Sequence, residues 1–194
     1  PCTLRRAARM HLAGERRRKE RLALLASFLA IRFRGVDPDR WLTWLEMRVG
    51  WLFSLPAAAC VLALVAAALL LVGAEFDTFL ARLPGFEAFF AANNWLWLAA
   101  VLGVTKILHE FGHGLACKRF GGECHEMGVM LLVFTPCLYC NVTDSWMIPS
   151  RWRRAAVGAA GIYIELILAS LATFVWWFSE PGLVHHLALN VMFV

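Results

Sequence analysis

The sequence predicts an all-α, multi-pass membrane protein of about three to four transmembrane helices, with a re-entrant loop or short strand pair between spans two and three. Three observations carry this. Of the 194 residues, 60% are hydrophobic and 17% charged, whereas soluble domains are about half apolar and a quarter charged. The 26 residues Val49 to Ala74 hold no charge, and a hydrocarbon core about 30 Å thick needs roughly 20 such residues in a helix. The basic residues are also segregated: 10 of the 19 Lys and Arg fall between Arg5 and Arg34. That placement suits a cytoplasmic flank ahead of a first span, one that also touches anionic headgroups.

Residues 1–48 are a basic cytoplasmic or interfacial segment. Within it "RLALLASFLAIRF" has apolar residues at helical spacing, which suits a helix lying on the membrane surface or packed on its own protein. Residues 49–194 form one membrane-embedded domain. Its first span is predicted over about 49–73, with Pro56 as a kink near the start. Residues 75–94 mix acids with five phenylalanines and a Pro-Gly break, as in an interfacial hairpin on the far side. A second span is predicted over about 95–117. A third covers about 155–178, interrupted by Glu165 and ending in the belt residues Trp176 and Trp177. A fourth begins at about 183 and is incomplete at Val194.

The positive-inside rule gives this layout a direction. Arg5–Arg48, Lys118–Arg119 and Arg151–Arg154 fall on one face, whereas the 75–94 loop sets Arg82 against Glu75, Asp77 and Glu87. The N-terminus is therefore expected in the cytoplasm. Between spans two and three, "GVMLLVFTPCLYCNVTDSW" is too short to cross as a helix and is bounded by Gly and Pro. Non-helical backbone at that depth must face protein or water, which implies a cavity. The chain opens at Pro1 without Met and stops inside the apolar run Leu187–Val194, so it reads as part of a longer membrane protein.

Several classes fall away. The net charge of +5 reflects a topogenic flank, and no base-reading module accompanies it, so nucleic acid is not an expected partner. The cysteines Cys2, Cys60, Cys117, Cys124, Cys137 and Cys140 are scattered, which argues against a disulfide framework. The basic N-terminal stretch is too long for a secretory signal peptide.

The second span carries "TKILHEFGHGLACKRF", and charged groups in a span have a functional default because burying them is costly. His109-Glu110-Phe111-Gly112-His113 matches H-E-x-x-H. Positions i and i+4 share a helix face, so both imidazoles can reach one metal ion, and Zn²⁺ suits them. Glu110 is offset by one residue, toward the open position of such a metal. There it can take a proton from an attacking water and return it to a leaving amine. A catalytic zinc takes three protein ligands. Cys117 continues the face but lies about 12 Å along the axis from His109, so it reads as a core or lipid-facing residue.

Other groups have plainer readings. Cys137 and Cys140 form a C-x-x-C pair that with the two histidines would make a closed structural site, or would serve redox chemistry. Lys106 and Glu165 are expected to pair, since each alone would be costly in a span. Gly112 and Gly114 are candidates for close helix approach. His125, Glu123 and Glu126 read as a solvated loop, and His185 and His186 as interfacial residues.

HEFGH within a span, the basic turn "CKRFGG", the apolar re-entrant stretch and the following glycine-led span resemble the site-2 protease family of intramembrane zinc metalloproteases, over roughly Trp95 to Trp177. "TPCLYCNVTDSW" is similar to a bacterial branch, some members of which accompany peptide export or secretion adaptors. The resemblance implies zinc on His109 and His113, Glu110 acting on the water, and a location in the bacterial inner (plasma) membrane. It implies hydrolysis of peptide bonds in or next to membrane segments of substrate proteins or peptides. A substrate helix must unwind first, and strand addition along 127–140 is the expected way to hold it.

The family's third ligand is the Asp of an Asp-Gly pair on a later span. This chain has no Asp-Gly, so the third ligand is expected beyond Val194, and the present chain alone is expected to be inactive. Span three also departs from the family's Gly-Pro and Asn pattern, with Ile162 and Glu165 at the matching places. Two rivals stand beside this reading. One is an inactive, protease-like accessory of peptide export. The other is a membrane zinc transporter, which usually has proline before the second His and an acid after it, where this chain has Gly112 and Gly114-Leu115-Ala116.

Overall fold

The computed structural model describes residues 30–33, 35–133 and 135–194. The expected surface helix over 21–33 falls mostly outside them. Where it enters the described residues it is corrected, because Ala30–Arg32 is a strand, β1. The reason is long-range: β1 satisfies its backbone by pairing antiparallel with β2 (Met127–Leu132), in register Ala30↔Leu132, Ile31↔Leu131 and Arg32↔Met130. Helical spacing in "RLALLASFLAIRF" cannot report a partner about a hundred residues away.

The chain divides into two compact units. The first joins residues up to Val36 with Gly128–Tyr139 and is built on a three-stranded sheet of order β1-β2-β3, where β3 is Thr135–Cys140. The expected strand pair is thus present, with β1 as an unforeseen third member. Phe33 N donates to Val129 O (3.0 Å) and Tyr139 Oη to Phe33 O (3.3 Å). Gly128 is required because a Cβ there would come within 2.9 Å of Gly35 Cα. Pro136 lacks an N–H to give to a ladder and lies in β3, an edge strand, where proline is tolerated.

The second unit holds Asp37–Met127 and Cys140–Val194. Helix α1 (Asp39–Val49) leads through a 3₁₀ turn, Gly50–Phe53, into α2 (Leu55–Ala74). Two short helices follow, α3 (Phe76–Arg82) and α4 (Phe86–Phe89), broken at Leu83–Gly85 as the Pro-Gly signal requires. Helix α5 (Ala92–Arg119) carries HEFGH, α6 is Arg151–Phe178 and α7 is Leu183–Phe193. Helix α5 packs on α6, α1 and α7, and α6 also packs on α2 and α7.

The first predicted span starts later than expected. Gly50–Phe53 is 3₁₀, and α2 begins after Ser54, whose hydroxyl accepts from Ala57 N. Pro56 lies in the first turn, where no intrahelical N–H bond is lost, so it starts the helix instead of kinking it. Among the described residues α2 and α6 are long and apolar enough to cross a membrane. Helix α5 matches α6 in length, but Lys106, His109, Glu110 and His113 interrupt its apolar run. The core helix of a soluble protein would be covered, yet Leu62, Leu69 and Leu70 of α2 are all exposed. Such a surface suits lipid, and the two apolar helices together suggest a membrane location.

Candidate metal centre

The site begins with glycine. A Cβ on Gly112 of α5 would fall 2.9 Å from Ala160 O and 2.8 Å from the Ile164 side chain of α6. A Cβ on Gly161 of α6 would overlap the His109 imidazole itself. The two helices therefore cross closely at the motif, with the His109 ring lying over Gly161. Gly114 makes the equivalent approach to Leu42 of α1. The packing role expected of Gly112 and Gly114 is realised. Gly161 belongs with them.

His109 and His113 face each other. Their rings are 4.8 Å apart between centroids at 70°, and the two Nε2 atoms are 3.1 Å apart. His113 Nδ1 is 2.7 Å from Val157 O. A carbonyl only accepts, so this ring carries its proton on Nδ1 and leaves Nε2 a bare lone pair. His109 Nδ1 lies 3.0 Å from Glu165 Oε1. That is charge-pairing distance, but it is off the line of a straight hydrogen bond, so this buried nitrogen has no hydrogen-bond partner among the described residues. A lone pair on it would face a carboxylate oxygen, so the proton belongs on Nδ1 here too.

Two Nε2 lone pairs then meet at 3.1 Å with no proton between them. A cation resolves that repulsion. Two nitrogens at 2.0–2.1 Å from a tetrahedral zinc stand about 3.3 Å apart, close to what is seen. The donor set fits a metal.

Glu165 Oε1 is also 2.6 Å from Lys106 Nζ, so the expected Lys106–Glu165 pair is formed and its shared oxygen reaches a motif histidine. Glu110 is half-buried, and no hydrogen bond or ion pair holds its carboxylate among the described residues. Among those residues no third Asp, Glu, His or Cys joins the histidine pair in one ligand shell. A separate group, Glu123, His125 and Asp144, places its ligand atoms within 4.8 Å of one another. Glu123 and His125 are exposed and lie in the loop read as solvated, whereas Asp144 is half-buried in the 3₁₀ turn Thr143–Met147.

The cysteines sort differently from their spacing. Cys117 is fully buried with Ala116, Ile148, Val157 and Ala160, the core role expected. Cys137 and Cys140 are three apart on β3, where side chains alternate faces. Cys140 Sγ instead lies 3.1 Å from Cys124 Sγ, so the C-x-x-C spacing does not describe the thiol pair that forms.

The family model described as peptidase family M50 matches residues 97–191. Residues 97–191 belong to peptidase family M50, the site-2 protease family. No curated protein and no solved structure matches the chain. Membership implies a membrane metalloprotease. The M50 region takes in α5 from Trp97, both motif histidines, Glu110, Gly161 and Glu165. The metal-compatible pair of α5 and the carboxylate that backs it on α6 thus lie in the M50 region.

Proposed function

We propose that this protein is an intramembrane zinc metalloprotease that hydrolyses peptide bonds in or next to membrane segments of protein or peptide substrates. The observation that carries the reading is the pair of Nε2 atoms at 3.1 Å, with Val157 O at His113 Nδ1 and the Glu165 carboxylate 3.0 Å from His109 Nδ1.

His109 and His113 would hold the metal. Bound zinc supplies Lewis-acid polarisation of the scissile carbonyl and the attacking water. The Glu110 carboxylate, free of other partners among the described residues, takes a proton from that water and delivers it to the leaving amine. Val157 O fixes the His113 ring through Nδ1, and Glu165, anchored by Lys106, fixes the charge environment of His109. The close α5–α6 crossing at Gly112 and Gly161 keeps these partners in reach.

The test is zinc per chain in detergent-purified protein kept from chelators, alongside cleavage of a membrane peptide. The proposal expects zinc bound by the full-length protein and by its Glu110→Gln form, zinc lost on His109→Ala, and cleavage by the unsubstituted full-length protein alone. Zinc absent from the full-length protein would leave the histidine pair without its ion. Zinc flux into liposomes that survives Glu110→Gln would favour the transporter.

A further inference from the structure

Outside the histidine site, the chain brings two thiols together. Cys124 Sγ and Cys140 Sγ are 3.1 Å apart, Cys124 fully buried and Cys140 half-buried. They close over Leu42 and Leu115, and Cys140 Sγ lies 3.4 Å from where a Gly114 Cβ would stand. The backbones that bear them are already clamped. Asn141 N donates to Glu126 O at 2.8 Å, and Cys124 N donates to Asp39 Oδ1 at 3.4 Å.

A metal does not explain this pair. Two thiolates across a tetrahedral zinc, at Zn–S about 2.3 Å, stand about 3.8 Å apart. The observed separation is shorter, and no third ligand joins them among the described residues. A disulfide bond is about 2.05 Å long, so the sulfurs need to close by only about 1 Å.

We infer that Cys124 and Cys140 form a reversible dithiol–disulfide site, oxidised by small-molecule disulfides of the glutathione class. Cys140, the less buried of the two, passes its proton to the Cys124 thiolate across the 3.1 Å contact as its sulfur attacks one sulfur of the oxidant. The oxidant's S–S bond breaks and its first thiol leaves. Cys124 Sγ then attacks Cys140 Sγ of the mixed disulfide, the Cys124–Cys140 bond forms, and the second oxidant thiol leaves. The pair gives up two electrons and two protons, and the oxidant becomes two thiols.

The hydrogen bond between the sulfurs favours the first ionisation, since the remaining S–H donates to the thiolate; it holds the Cys124 thiol below the ordinary cysteine range. The same bond, with burial and the neighbouring charge, pushes Cys140 up, so the second proton is held. The shared proton can sit on either sulfur. Oxidation would tie the segment following the histidine-bearing helix to the end of β3.

The experiment equilibrates the detergent-purified protein in glutathione/glutathione disulfide buffers, quenches with acid, alkylates with N-ethylmaleimide and maps peptides by mass spectrometry. The expected result is a Cys124–Cys140 linked peptide that rises with the oxidised fraction, disappears on reduction, and persists in Cys137→Ser. Cys124→Ser should instead trap glutathione on Cys140. Alkylation of both cysteines at every buffer ratio would overturn the proposal, as would a link between Cys140 and Cys137. Neither readout uses bound metal or peptide cleavage, so the outcome stands apart from the metalloprotease reading.

Discussion

Lys106 Nζ lies 2.6 Å from Glu165 Oε1, and that same oxygen stands 3.0 Å from His109 Nδ1. Lys106 and His109, both on α5, thus share one carboxylate oxygen supplied by α6. In lipid, each charge alone would be costly. Together they form a compensated group with a purpose, a negative oxygen held against the outer nitrogen of His109.

Glu165→Gln keeps the side-chain volume and removes that charge. It should lower metal affinity about 10- to 100-fold, the usual effect of losing an outer partner of a ligating histidine. Glu165→Asp should restore part of it, which a purely space-filling role would not require. Lys106→Met should weaken affinity less. In thermal unfolding, the double variant should show a coupling of about 0.5–3 kcal/mol. Chelator competition and melting in detergent would measure both, and strictly additive losses would mean that the pair is not coupled.

Gly161→Ala tests the crossing from the other side. The new methyl would occupy the place of the His109 ring, so the ring must swing away from His113. Metal binding should fall steeply, with a stability loss of about 1–3 kcal/mol from overpacking. Gly112→Ala should cost similar stability, because its Cβ would press on Ala160 O, but should spare metal binding more. Equal zinc retention by the two variants would contradict the ring's placement over Gly161.

Much of this site was legible in the sequence because helices encode their own neighbours. The i, i+4 spacing puts His109 and His113 on one face without help from the rest of the chain. The cost of lone charges in a span pointed Lys106 at Glu165. What was not legible depends on long-range register. The β1–β2 pairing lies about a hundred residues apart, and the Cys124–Cys140 contact is set by where the end of β3 meets the loop after α5. Val157 O leaves no mark in the sequence at all, since any residue supplies a carbonyl. Pro56 misled because proline reads the same at a kink and in a first turn.

Asp39 at the start of α1 makes a pH prediction. Its carboxylate lies 2.7 Å from Lys118 Nζ and accepts from Cys124 N. Burial alone would raise its pKa, but the Lys118 hydrogen bond and charge and the Cys124 amide outweigh it and hold the group below its ordinary 3.8. A lowered folded-state pKa means the unfolded chain binds the proton first as pH falls. The stabilisation is therefore complete above about 3.8 and is lost as pH drops through the lower folded value. Asp39→Asn should lose about 1–3 kcal/mol near neutral pH, and its acid unfolding should lack this component. Parallel acid profiles for parent and variant would show that the pair does not contribute.

At the other end of α5, Asn94 and Asn190 are buried and exchange two hydrogen bonds, Nδ2 to Oδ1 at 3.1 Å and 2.9 Å. Asn94 also gives Nδ2 to Phe89 O at 2.7 Å. Its Oδ1 lies 2.6 Å from His186 Nε2, so the ring proton belongs on Nε2. His186 is thus tied into the helix packing in addition to lying near the start of α7. A single Asn190→Leu removes one partner from each end of the Asn94 amide, which keeps Phe89 O and His186 Nε2, and should cost about 0.5–1.5 kcal/mol. Joint replacement of Asn94 and Asn190 by leucine should cost less than the sum of the single changes, because it removes both partners of the exchange at once. Phe89 O and His186 would still lose a partner, so the double variant should not be neutral. Melting of the singles and the double in detergent decides it, and an additive double would mean the amides act independently.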